Sequence, residues 1–156
     1  MNWITAASPP ALSARLLAKS KPKPRGALKL GRGACITGRH YLDVHADVEI
    51  GPMAIIAGIR STILTHSIDL GRALQSVAGV TIGKYSFIGT NCVILPSSKV
   101  PDYSVIGAGS VVRNSLSKPY SLYAGVPAQF VKVLPEDYGF FKRASSVVLW
   151  DEDLQP

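Results

Sequence analysis

The side chains of this sequence best suited to chemistry near neutral pH are three histidines, His40, His45 and His66. Imidazole has an ordinary pKa close to working pH, so it can take the proton of a hydroxyl held within about 3 Å. Three residues beyond His66 lies Asp69. A carboxylate on the second ring nitrogen would fix the tautomer and stabilise the imidazolium. An ordinary loop aspartate is the alternative for Asp69, and a backbone carbonyl could orient the ring equally well. Two cysteines, Cys35 and Cys92, cannot build a disulfide framework, and they lack the short paired Cys and His spacings of a zinc site. No metal is expected. Taken alone, a single loop histidine such as His66 more often faces solvent than does chemistry.

Whatever uses these groups must be positioned by the rest of the 156 residues, of which 47% are hydrophobic and 17% charged. That balance does not make disorder the default and fits one domain. No apolar run reaches about 18 residues, and no apolar core follows Met1-Asn2-Trp3, so neither a spanning helix nor a secretory signal is expected and the expected location is the cytoplasm. The net charge of +7 is uneven: residues 1–42 carry eight basic side chains and no acidic one, residues 43–156 nine basic and ten acidic. The arm Lys19-Ser20-Lys21-Pro22-Lys23-Pro24-Arg25 reads as extended and solvated, with phosphates or a membrane surface as its alternative partners. Nucleic acid is not expected as a partner, because no aromatic residue is interleaved with the lysines to stack bases.

Ile82, Ile88, Ile94, Val100, Ile106 and Val112 place an aliphatic residue at every sixth position, and Ser86, Cys92, Ser98, Ser104 and Ser110 follow four residues after the first five. Gly83, Gly89 and Gly107 come directly after three of the aliphatics. Neither a helical period of 3.6 nor a strand period of 2 gives this pattern, whereas short strands turning at regular corners do. With three hexapeptides per turn, residues 18 apart stack about 4.8 Å from one another, so Ile82 lies under Val100, Ile88 under Ile106 and Ile94 under Val112. An earlier run, Val44, Ile50, Ile56 and Thr62, keeps the spacing of six but is out of phase with the later one, which requires a loop between Thr65 and Val80. Excursions from a rigid scaffold are where function concentrates. Residues 10–19 read as a short amphipathic helix and 135–150 as a helix or packed tail. The expected organisation is a basic arm with a short helix over 1–29, a coil over 30–133 and a partly helical tail over 134–156. A coil of this size is marginal alone, so association through its flat faces is expected.

These repeats, with Leu64-Thr65-His66, Ile106-Gly107-Ala108-Gly109-Ser110-Val111-Val112 and Tyr123-Ala124-Gly125-Val126-Pro127-Ala128, resemble the hexapeptide-repeat acyltransferases over roughly residues 30–133. The similarity is greatest to the sugar and polysaccharide O-acetyltransferases. The resemblance implies an all-β fold, a left-handed parallel β-helix, a homotrimer, and acetyl-coenzyme A as co-substrate in the groove between subunits. It also implies His66 as the base that activates a hydroxyl of a sugar or glycan acceptor. By the same resemblance Phe87 lies beside the thioester, Thr90 and Ala108 contact the cofactor, Arg113 is a further donor contact, and Lys132 and Lys118 meet the nucleotide phosphates. Read without it, Phe87 is packing and the three cations are solvated surface. The acceptor-binding residues find no match in His40-Tyr41-Leu42-Asp43, which leaves the acceptor open between a hydroxyl and an amino sugar. Two readings of other classes stand beside this one: a three-histidine metal lyase like the gamma-type carbonic anhydrases, where the histidine order differs from that seen here, and a non-catalytic β-helix subunit.

Overall fold

The computed structural model describes residues 3–5, as backbone, and 26–148. The expected helix over 10–19 and most of the basic arm lie outside the described residues. In chain order the elements are β1 (Trp3–Thr5), β2 (Leu28–Leu30), β3 (Cys35–Ile36), β4 (Tyr41–Asp43), β5 (Val48–Ile50), β6 (Ile55–Ile56), β7 (Thr62–Ile63), β8 (His66–Asp69) and β9 (Leu74–Val77). They continue with β10 (Val80–Ile82), β11 (Phe87–Ile88), β12 (Val93–Ile94), β13 (Lys99–Val100), β14 (Val105–Ile106), β15 (Val111–Val112), β16 (Ser121–Ala124), β17 (Gln129–Val133) and α1 (Gly139–Lys142). Three of the four sheets are the faces of a parallel β-helix: β1-β4-β7-β12-β15, β2-β5-β10-β13, and β3-β6-β11-β14-β16, the last closed by antiparallel β17.

The registers are those the repeat requires. Ile82 pairs with Val100, Ile88 with Ile106 and Ile94 with Val112, each 18 residues apart. Below them lie Ile50, Ile56 and Ile63, so each face sends one column of aliphatics inward, all at most 2% exposed. Burial of each such side chain contributes about 1.5–3 kcal/mol. The fifth-place residues turn the corners. Ser86, Cys92, Ser98, Ser104 and Ser110 are fully buried, and each serine satisfies its hydroxyl on a nearby carbonyl, as Ser110 does on Gly107 at 2.6 Å and Ser86 on Pro101 at 2.8 Å. A larger side chain there would push the faces apart.

The earlier run differs from its expected frame at both ends. Thr62 is only half-buried and the inward residue is Ile63, because the corner Gly58–Ser61 holds one residue more, with Arg60 in the left-handed region at φ 63°. On the rung beneath, Leu42 rather than Val44 faces Ile63. The interruption falls where the phase change placed it: β8 and β9 form an antiparallel hairpin that leaves the coil after Thr65 and returns at Ala78. Its Ile68, Leu70 and Leu74 are exposed.

At the other end the tail is less helical than 135–150 was expected to be. Among the described residues, only Gly139–Lys142 is helical there. What holds it is aromatic packing: buried Phe141 meets Tyr103 and Tyr120 edge-on at 5.9 and 5.5 Å, and those tyrosines stack at 4.6 Å. The Arg143 guanidinium covers the Phe140 ring at 3.9 Å and donates to the Met53 carbonyl. No helix among the described residues is long and apolar enough to cross a membrane.

Candidate active site

The hairpin starts at a corner that the previous rung prepares. β4 ends on Asp43, and β7, its neighbour in the sheet, runs into Thr65 and His66, so residues 22 and 23 apart in sequence become adjacent. Asp43 is fully buried. Its Oδ2 accepts the backbone N–H of Thr65 at 2.8 Å, that of His66 at 3.1 Å, and the His66 Nδ1 at 2.5 Å. Its Oδ1 accepts the backbone N–H of His45 at 3.1 Å and the His45 Nδ1. Thr65 locks the corner by donating its hydroxyl to the Asp43 carbonyl at 2.9 Å and accepting the Ala46 N–H at 3.1 Å.

Five N–H groups therefore converge on one carboxylate, which has about four lone-pair positions. Burial alone would push the Asp43 carboxyl upward, but the hydrogen bonds from the His45 ring, the Thr65 backbone, the His66 ring and the His45 backbone outweigh it and hold the group well below the usual carboxylate range. An ionised carboxylate only accepts, so both histidines present hydrogen on Nδ1, and neither Nε2 is held by the carboxylate. The rings lie side by side, centroids 4.4 Å apart and planes 51° apart, with side chains 34% exposed for His66 and 23% for His45. Asp43, His45 and His66 place ligand-type atoms within 4.8 Å, as a cation site would. As the cluster stands, its carboxylate is filled by five N–H groups, and the ring nitrogens outside that network are the two Nε2 atoms.

The structure gives the orienting position to a carboxylate other than the one the sequence suggested. Asp69 does not bond His66; it pairs with Arg72 at 2.7 Å and caps that residue's N–H at 3.1 Å within the hairpin. Sequence reasoning missed Asp43 and left His45 without a role in acyl transfer, because both face His66 across a rung. His40 stands apart at another corner, 1% exposed, its Nδ1 accepting the Ser61 N–H at 3.1 Å and its Nε2 meeting the Thr37 hydroxyl at 2.9 Å. The three histidines are thus not gathered within one copy.

The residues assigned to the acyl donor fall on several parts of the coil. Thr90 and Ala108 share the corner that follows the third face, tied through the Gly109 N–H to the Thr90 carbonyl at 2.9 Å, and both are exposed. Thr90 also clamps the chain below, exchanging hydrogen bonds with Ile59 at 2.9 and 3.0 Å. Phe87 lies on the third face, half-buried, edge-on to Phe140 at 5.8 Å. Arg113 is exposed at the corner stacked over Leu95 and Leu64, the same corner as His66. Lys132 is exposed on β17, and Lys118 sits over the Phe130 ring at 4.9 Å. In a single copy the first face separates His66 and Arg113 from Thr90 and Ala108.

A parallel β-helix of hexapeptide repeats with a histidine–carboxylate cluster at the base of its β8–β9 hairpin points to a class, and comparison with known proteins agrees. The model of the bacterial transferase hexapeptide (six repeats) matches residues 79–114. The chain is 36% identical over 73 residues to an Escherichia coli K12 protein named for O-acetyl transfer in lipopolysaccharide biosynthesis, covering 47% of this chain and 36% of that one. It is 42% identical over 53 residues to the galactoside O-acetyltransferase of the same organism, covering 34% of this chain and 26% of that one. It superposes on a hexapeptide-repeat acetyltransferase of Vibrio cholerae O1 biovar eltor, solved with acetyl-coenzyme A, with TM-score 0.65 and 25% identity over 69% of this chain and 61% of that one. The resemblance to the hexapeptide-repeat acyltransferases thus holds in sequence and in fold. The chain spans between about a quarter and about a third of the length of these curated relatives.

Proposed function

We propose that the protein transfers an acetyl group from acetyl-coenzyme A to a hydroxyl of a sugar or glycan precursor. The observation that carries this reading is the Asp43-clamped His66, whose side chain is partly exposed at the base of the hairpin with its Nε2 outside the Asp43 contact. A sugar hydroxyl is far too weak an acid to ionise near neutrality, so it attacks a thioester slowly unless a base takes its proton during attack. His66 Nε2 takes that proton as the oxygen bonds to the thioester carbon. Asp43 steadies the imidazolium, and collapse of the tetrahedral intermediate breaks the C–S bond, the thiolate leaving with the same proton. No acyl-enzyme forms.

The coenzyme would lie along the corner of Thr90 and Ala108, with Phe87 near its thioester end and Arg113, Lys118 and Lys132 as the cations suited to its phosphates. Because the first face keeps that corner from His66 within one copy, the reading has a second copy supply one half of the groove, in a homotrimer of left-handed β-helices. The names of the Escherichia coli relatives favour a hydroxyl acceptor on a saccharide over an amine. Incubation with acetyl-coenzyme A and a panel of methyl glycosides and amino sugars, read by mass spectrometry of the acceptor, tests the reading. An acetyl ester on a glycoside is the expected product; acetylation confined to amines, or coenzyme A consumed by hydrolysis alone, overturns it.

A further inference from the structure

One buried carboxylate holds two imidazoles, yet general-base catalysis needs one. The second ring, His45, is fixed as firmly as His66: its Nδ1 and its backbone N–H both bond Asp43 Oδ1, and the side chain is 23% exposed beside the His66 ring. Packing does not account for it, since an apolar residue would cover the corner without introducing a polar atom that must be satisfied. With both Nδ1 atoms engaged, the two Nε2 atoms stand outside the carboxylate's network on rings 4.4 Å apart, and in the neutral rings that a general base requires both are acceptors. Adjacent acceptors are matched by a pair of adjacent donors. The two oxygens of a vicinal diol stand about 2.8–3 Å apart, within reach of two such rings at ordinary hydrogen-bond lengths.

We infer that His45 is an acceptor-binding residue and that the site selects a vicinal diol, one hydroxyl giving its proton to His66 while its neighbour donates a hydrogen bond to His45 Nε2. This rests on the acetyl-transfer reading and narrows its substrate class to saccharides, or other polyols, with adjacent free hydroxyls. His45 positions the nucleophile by holding the neighbouring oxygen, which fixes the rotation of the reacting C–O bond.

The test uses the full chain, acetyl-coenzyme A, and methyl glycosides bearing a vicinal diol, each paired with the monodeoxy compound lacking the neighbouring hydroxyl. Coenzyme A release is followed by thiol titration. For the wild type, kcat/KM should favour the diol over its deoxy partner by about tenfold, the worth of one such hydrogen bond. His45→Asn keeps an amide N–H toward Asp43 but removes the Nε2 acceptor, so the ratio should fall to about one, chiefly through KM of the diol. His45→Gln, whose amide reaches the Nε2 position, should recover part of the ratio, which a merely structural role would not produce. Circular dichroism verifies that each variant is folded. A ratio that persists in His45→Asn, a fall that is equal for diol and deoxy acceptors, or turnover of amino sugars in preference to diols overturns the inference while leaving acetyl transfer in place. No transfer by the wild type to any acceptor removes the underlying reading instead.

Discussion

Asp43→Asn is the perturbation whose consequences are most fully determined by the geometry. Asn fills the same volume but replaces one oxygen by an NH2 group, so at least the two N–H groups of His45, or the three on the other oxygen, face a donor in a fully buried corner. Each unsatisfied buried donor costs about 1–3 kcal/mol, and removing one partner of a buried charged pair about 3–5 kcal/mol. A loss of about 3 kcal/mol is therefore expected, or a fall in Tm of roughly 6–12 °C for a chain of this size. The folded-state pKa of Asp43 lies below the usual carboxylate value of about 4, so its contribution is fully present above that value and is lost as pH falls through the folded-state pKa. Thermal melts of wild type and variant at one protein concentration, at pH 7, 5 and 3, should show a gap that is full at pH 7 and 5 and narrows by pH 3. A Tm at pH 7 within about 1 °C of wild type, or a gap that widens on acidification, would refute the reasoning. Acetyl transfer should fall about a hundredfold or more as the His66 tautomer is lost.

His40 titrates in the opposite sense and in a different window. Burial lowers its pKa, only partly offset by a backbone hydrogen bond with Gly58, so the neutral ring is the folded form. Stability it contributes is present above the ordinary value of about 6.5 and is lost as pH falls below it. The Tm of the wild type between pH 8 and pH 5.5 should contain a step that His40→Asn, which cannot protonate, flattens; an unchanged step contradicts the assignment. Ile88→Ala removes the middle of an inward column and should cost about 2–5 kcal/mol by urea denaturation, with a value under about 1 kcal/mol showing that the column is not close-packed. Tyr123→Phe removes a hydroxyl that donates to the Lys118 carbonyl at 2.8 Å and accepts its N–H at 3.0 Å, and should cost about 1–2 kcal/mol in the same assay.

How far the sequence reveals this molecule depends on whether each feature is set by the chain's own repeat or by its stacking. Ile82 to Val112 are legible because a coil with three faces demands one inward aliphatic and one small corner residue per hexapeptide, and those demands appear at fixed spacing. The break after Thr65 is legible as a change of phase. The frame slips at Thr62 because one residue added at a corner leaves no compositional mark; Arg60 simply adopts the left-handed conformation. Asp43 is invisible as the partner of His66 because the rung between them is 21 residues rather than 18, and His66 lies two residues beyond the position in register with Asp43. Asp69, close in sequence, faces away along the hairpin and meets Arg72. In the tail, tyrosines stacked at one corner, not helical periodicity, decide where Phe141 lies.

The central claim is that His66 is the base of an acetyl transfer, and it is tested most directly by acceptor-dependent coenzyme A release from acetyl-coenzyme A in the wild type and in His66→Ala. A fall of about a hundredfold or more in kcat, with the variant folded and still binding acetyl-coenzyme A, is the predicted result. Release by His66→Ala at the wild-type rate would contradict the account.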